Sequence, residues 1–233
     1  MTVPSTNTKL TDIQTEFGGS NPINLSEYYS GGPLVPASSP APNGPIPSSG
    51  TITVGDFRGS QLVTFISATG GTVSTSGDYK IHTFTGPGTF SVSSVGNQPT
   101  GAKVDYMVLA GGAAGGGRET GGGGGAGGFR ESHDPAVSGP YTASPLATPS
   151  ALPISATSYP ITIGGGGAGT TSGGGNGGDG SNSSFSSITS EGGGGGGVRS
   201  PGTGRSGGSG GGGGREPVGA GGTGNSPSVS PSQ

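Results

Sequence analysis

Side chains able to do chemistry are scarce in this sequence, and none stands in a pattern that performs it. There is no cysteine, so disulfides and thiolate metal sites are excluded. The two histidines are His82, in a β-branched run, and His133, followed by Asp134 with no third ligand at metal-binding spacing. Gly174-Gly175-Asn176-Gly177-Gly178-Asp179-Gly180 fits the opening of a calcium-binding glycine/aspartate nonapeptide. Ser181 stands where a large apolar residue should follow, and no tandem copy stacks on it. Gly202-Thr203-Gly204-Arg205-Ser206-Gly207 fits the dinucleotide fingerprint G-x-G-x-x-G. In a chain that is a quarter glycine such a match arises by chance, and the βαβ context is missing. No serine is marked by a nucleophile turn, and no carboxylate pair stands out as a glycosidase would need. No catalytic, metal or cofactor-binding residue is assigned. The chain is read as a non-enzyme without a cofactor.

The elements that remain must do their work by shape. Glycine supplies 58 residues and proline 20, about a third of the chain, without the Gly-X-Y period of collagen. Hydrophobic residues reach only 26%, thin for an ordinary core of this length, yet charge is sparse too, at 9% with a net of −3. The weakly acidic balance lacks the basic cluster that a nucleic-acid partner requires. No apolar run approaches the length of a membrane span, so no membrane insertion is expected.

Residues 1–60 hold an imperfect repeat of an aliphatic residue, an acid and an aromatic with glycine nearby. Its copies are Ile13 to Gly19, Ile23 to Tyr29 and Ile52 to Gly59. Units of this size suit short strands or turns that become stable only by packing on one another, within one chain or between chains. Phe17, Glu27, Tyr28, Tyr29, Asp56, Phe57 and Arg58 are therefore the candidates for assembly and docking, with Tyr28 and Tyr29 foremost. Pro33 to Ser49 reads as an extended spacer.

Residues 61–110 read as a β domain. Its strands are Leu62–Ile66, Tyr79–Phe84, Gly88–Val92 and Val104–Leu109, with a hairpin through Gly86-Pro87-Gly88. Residues 111–233 alternate glycine tracts with short apolar runs such as Tyr159–Ile163 and Phe185–Thr189. No sustained helical period occurs, so the class is mainly β with no significant α-helix. The tracts have two physical options. They are flexible linkers, or they pack side by side as extended three-fold glycine helices bonded through their backbones. The ending Pro227 to Gln233 has no terminal element, and more sequence is expected beyond it.

Asp12 to Gly19 and Pro22 to Tyr29, with Ile46 to Ile52 leading into Asp56-Phe57-Arg58-Gly59, resemble the N-terminal region of virion fibre proteins of tailed phages, marine cyanophages especially. His82 to Gly86, Gly88 to Val92, Val104 to Val108, Tyr159 to Gly164 and Ser183 to Phe185 resemble the phage glycine-rich domain. The resemblance implies a virion structural protein, a tail or baseplate-associated fibre. It implies a homo-oligomer, expected to be a trimer, attached by its N-terminal region to other virion proteins of the tail, baseplate or capsid. Alternatives are a receptor-binding adhesin that contacts a host surface receptor, and a capsid decoration or head fibre. Related glycine-rich domains imply a β-sandwich with bundled polyglycine-type helices. Ala113, Ala114 and Arg118-Glu119-Thr120 interrupt the first tract and would then sit on the outside.

Overall fold

The computed structural model describes residues 1–37, 39–77, 79–117, 119–170, 174–199, 202–215 and 219–233. Strand residues outnumber helical ones, 20% against 9%, so the chain is mainly β. It divides into two compact units: residues 1–67 with 94–102, and residues 68–93 with 103–233.

The first unit is built from helical turns rather than strands. Leu10, Ile13 and Phe17 recur at helical spacing, and α1 spans Leu10–Phe17 with Ile13 and Phe17 buried. Asp12 Oδ2 accepts the Lys9 amide at 2.7 Å and so closes its first turn. The other repeat copies form 3-10 turns, Leu25–Tyr28 and Val54–Phe57. Asp56 Oδ2 accepts the Thr53 amide at 2.7 Å, as Asp12 does for Lys9. Of the acids of the repeat only Asp56 is a cap: Glu16 accepts the Leu62 amide at 2.8 Å and Glu27 is exposed, whereas the aromatics Phe17, Tyr28 and Phe57 are all core residues. Three aromatics meet: Phe17 and Tyr28 each lie edge-on to Phe57 at 6.1 Å. The presumed spacer from Pro33 to Ser49 is no spacer in its described part. Val35 and Ile46 are buried in the same core, which gives the segment an apolar anchor at each end. Ser38 within it lies outside the described residues.

Burial, then the nearby Glu27 carboxylate, push the Tyr28 phenol above its usual value of 10.0. The unfolded chain releases that proton first. The unit's stability is therefore unaffected below about pH 10 and falls as pH rises further. Urea unfolding followed by amide NMR should show this alkaline loss, and Tyr28→Phe should remove it.

In the second unit the strands are β1 Ser67–Thr69, β2 Thr72–Ser76, β3 Tyr79–Thr83, β4 Gly88–Ser94, β5 Lys103–Val104, β6 Met107–Leu109, β7 Phe129–Glu131, β8 Leu152–Pro153, β9 Ser158–Thr162, β10 Ser183–Phe185 and β11 Ile188–Ser190. A five-stranded sheet runs β1-β4-β9-β10-β11, and three two-stranded ribbons pair β2 with β3, β5 with β8 and β6 with β7. Leu62–Ile66 is not a strand. The hairpin expected through Gly86-Pro87-Gly88 does not form either. β3 pairs back onto β2, while β4 pairs with β9, matching Phe90 to Tyr159. That register brings Phe90, Tyr159 and Phe185 together, with Phe90–Phe185 centroids 5.9 Å apart. This aromatic cluster is gained only by the non-local pairing. His82 packs edge-on against Phe90 at 5.0 Å.

The glycine tracts carry no helix or strand, yet each is hydrogen-bonded to neighbouring tracts. Numbered along the chain they span 110–117, 121–128, 164–170, 174–181, 191–198, 202–208, 209–214 and 219–224. Every third residue of one tract bonds the same neighbour. The amides of Ala110, Ala113 and Gly116 donate to Gly128, Gly125 and Gly122 of tract 2. Those of Gly111, Ala114 and Gly117 donate to Ser181, Gly178 and Gly175 of tract 4. Ala113 and Ala114 are accordingly half-buried within the array rather than outside it; Arg118 lies outside the described residues.

Tract 5 is the centre. Gly192 to Val198 are all buried. The carbonyls from Glu191 to Gly197 all accept amides, from tracts 2, 4 and 6. The amides of Gly193 and Gly196 go to tract 1, and those of Gly194 and Gly197 to tract 7. The third set meets side chains. Gly192, Gly195 and Val198 donate to the Oδ1 atoms of Asn182, Asp179 and Asn176 at 2.8, 2.8 and 2.9 Å. A buried backbone must be paired to be tolerated, and here every amide from Gly192 to Val198 and every carbonyl from Glu191 to Gly197 is.

Candidate functional site

The seven N-terminal candidates separate by burial. Phe17, Tyr28 and Phe57 are spent on the core of their own unit, so they hold it together rather than present a face. Asp56 is half-buried and engaged as a cap. Glu27 and Arg58 are exposed, and Tyr29 is half-buried with its hydroxyl donating to the Gly50 carbonyl. Glu27 and Tyr29 share a cleft of about 550 Å³ with Gly19, Ser20, Pro33 and Leu34. That cleft and the exposed Arg58 are the part of the candidate set not spent inside the unit.

A second cluster escaped sequence reading. The run from Val104 to Leu109 breaks at Asp105, whose carboxylate collects donors from the following excursion. It accepts from Ser132 Oγ at 2.7 Å, from the Asp134 amide at 3.1 Å and from Ser138 Oγ at 2.5 Å. Asp134 in turn caps α2, Pro135–Ser138, through the Ala136 amide. His133 Nε2 lies 2.9 Å from the Gly139 carbonyl, and its ring packs on Tyr141 with centroids 4.0 Å apart. His133 and Asp134 are therefore structural groups of this excursion. Burial, with the nearby charge of Glu131, raises the Tyr141 phenol above its usual value. Tyr141 and Leu146 stand exposed beside this strut, 45% and 50% respectively, where they can contact a surface.

The two motifs noted in the tracts are absorbed by the array. Asp179 gives Oδ1 to the Gly195 amide and Oδ2 to Arg205 Nη1 at 3.0 Å. Gly204 and Gly207 donate to Ala220 and Thr223, and Arg205 donates to Gly195. What Asn176, Asp179 and Asn182 supply is a ladder at three-residue spacing that ends three buried donors. Asp179→Ala should cost about 1–3 kcal/mol by orphaning the Gly195 amide. Asp179→Asn, which keeps an Oδ1 acceptor, should cost clearly less. Chemical denaturation of the two variants separates them.

A sequence profile of the family described as "Glycine-rich domain" matches residues 85–230, well over half of the chain. The chain belongs to this glycine-rich domain family. No curated protein and no solved structure matches the chain at a significant level. The glycine-rich domain match takes in all the tracts, the Asp105 cluster and the strands from β4 onward.

Two ends of the glycine-rich domain's array differ. At one, tracts 1, 3 and 5 leave β6, β9 and β11, and tracts 2 and 4 run into β7 and β10. At the other, Gly117 bonds Gly175, Gly122 bonds Gly197, and Arg215 bonds Thr120. The described charged residues flanking these tract ends are Glu119, Arg199 and Arg215.

Proposed function

We propose that this chain is a virion structural protein that acts by assembly: a tail or baseplate-associated fibre component. Its first unit attaches to the particle, and its glycine-rich domain extends outward. The observation that carries the reading is tract 5, whose buried amides from Gly192 to Val198 are all paired with its surroundings. Such an array makes a stiff, chemically inert support, and the tracts are read as extended three-fold glycine helices. Copies of the chain associate, three being the number implied by the fibre resemblance. The cleft at Glu27 and Tyr29 is the proposed docking point for another virion protein.

A receptor-binding role is the second reading, favoured by Tyr141 and Leu146 standing exposed on an excursion fixed by Asp105. Particle reconstruction with a label at the N-terminus tests the first reading; a chain absent from purified particles would refute it. Deleting 132–158 tests the second. Intact particles that no longer adsorb to cells support it, and unchanged adsorption removes it.

A further inference from the structure

Glu16, the acid of the first repeat copy, borders a cavity in the first unit that is separate from the Glu27 cleft. The cavity measures about 290 Å³ and is lined by Glu16 with Thr15, Gln61, Leu62, Thr64 and Asn97. The Glu16 side chain is only 4% exposed. Its Oε1 accepts the Leu62 amide at 2.8 Å, whereas Oε2 is buried and accepts no hydrogen bond among the described residues. A buried carboxylate oxygen without a donor is costly, so the site calls for a cation that can reach it. The Met1 ammonium lies 3.3 Å from Oε2, beyond the roughly 2.7–2.9 Å of a charge-assisted hydrogen bond, and Met1 is otherwise exposed.

The walls decide which cation. Thr15 spends its hydroxyl proton on the Thr11 carbonyl at 2.7 Å, and Thr64 spends its own on Asn97 Oδ1 at 3.2 Å. Asn97 Nδ2 donates to Gln61 Oε1 and to the Leu62 carbonyl, each at 3.1 Å. The hydroxyls therefore offer lone pairs, and Gln61 Oε1 keeps a second one. Such a lining suits a group with several donors and no acceptor. A guanidinium takes a carboxylate through both oxygens, and Oε1 is already engaged. An ammonium needs one carboxylate oxygen and finds its other acceptors on the walls. A divalent metal ion would need more anionic oxygen than one carboxylate supplies, and no cluster of three potential ligands occurs among the described residues. The volume is about ten times a water's share of the liquid, so a stem enters with the charged head.

We propose that this cavity binds a primary ammonium on a flexible stem, the lysine side chain of a partner protein, and that the Met1 ammonium stands in for it in the free chain. The inference depends neither on the fibre reading nor on the Glu27 cleft.

The test titrates the full-length chain with Nα-acetyl-lysine N-methylamide and follows the Leu62 backbone and Asn97 side-chain amides by NMR. Saturable shifts at both are expected. The arginine analogue should bind more weakly, and the norleucine analogue, a stem without the charge, should give no shift. Glu16→Gln keeps an acceptor for the Leu62 amide and removes the charge, so affinity should fall about tenfold or more. Thr15→Phe, at an exposed position of the lining, should block entry with Glu16 and the fold intact. Acetylation of the Met1 amine should tighten lysine binding by removing the stand-in. Absence of saturable shifts in the wild type, equal binding of the arginine or norleucine analogue, or binding that survives either substitution would overturn the proposal. Affinity unchanged by acetylation would overturn the role given to Met1. The particle-attachment reading stands whichever result is found.

Discussion

Gly195→Ala will unfold the glycine-rich domain, at a cost above about 4 kcal/mol. The added Cβ would lie 1.9 Å from the Gly177 oxygen, 2.7 Å from its carbon and 3.2 Å from Asp179 Oδ1. Two of those three atoms are backbone and cannot swing aside as a side chain tip could. Relief requires tract 5 to move, and moving it breaks bonds to tracts 1, 2, 6 and 7. Each buried donor or acceptor left unpaired costs about 1–3 kcal/mol, so two or three suffice. Gly123→Ala is the matched control. Its Cβ meets nothing within 4 Å, and its smaller unfolded-state entropy should stabilise by up to about 1 kcal/mol. Denaturant titrations read through the tract-glycine NMR signals would show both effects. A Gly195→Ala protein of wild-type stability would mean that the tracts are not held at these distances.

Phe57→Ala is expected to destabilise the first unit by about 3–5 kcal/mol, the range for deleting a fully buried ring. Phe57 is 0% exposed and is the ring that both Phe17 and Tyr28 pack against. The unit's core is small, so a loss of this size should unfold it at ordinary temperature. Each unit has its own core, and the Gly192 to Val198 amides should keep their protection in this variant. Particles made with it should lack the protein if the first unit is the attachment point. Retained amide dispersion for residues 1–60 in Phe57→Ala would contradict the core assignment.

Part of this architecture was readable from residue types. β-branched and aromatic runs marked β3 and β4, the short apolar runs between the tracts fell on β9 and on β10 with β11, and the glycine tracts announced where side chains are excluded. The N-terminal repeat was visible, but its structure was not. Leu10, Ile13 and Phe17 satisfy a helical face only when Leu10 is counted, and eight residues are too few for a convincing period. Which residues pair was also hidden. Thr83 and Thr89 are close in sequence, yet Phe90 gains more by meeting Tyr159 and Phe185 across nearly seventy and a hundred residues. Asp105 gave no signal, since a single acid in an apolar run says nothing about which later serines it will collect. Asn176, Asp179 and Asn182 did give one. Their three-residue spacing matches the bond repeat of the tracts and was obscured by a chance likeness to a calcium motif.

The central claim is that tract 5 is encased, with every amide from Gly192 to Val198 paired. Amide hydrogen exchange at Gly192 to Val198 addresses it without mutation. Protection near that of global unfolding, equal across the seven amides, is the predicted result. Exchange as fast as in an unstructured glycine peptide would contradict it.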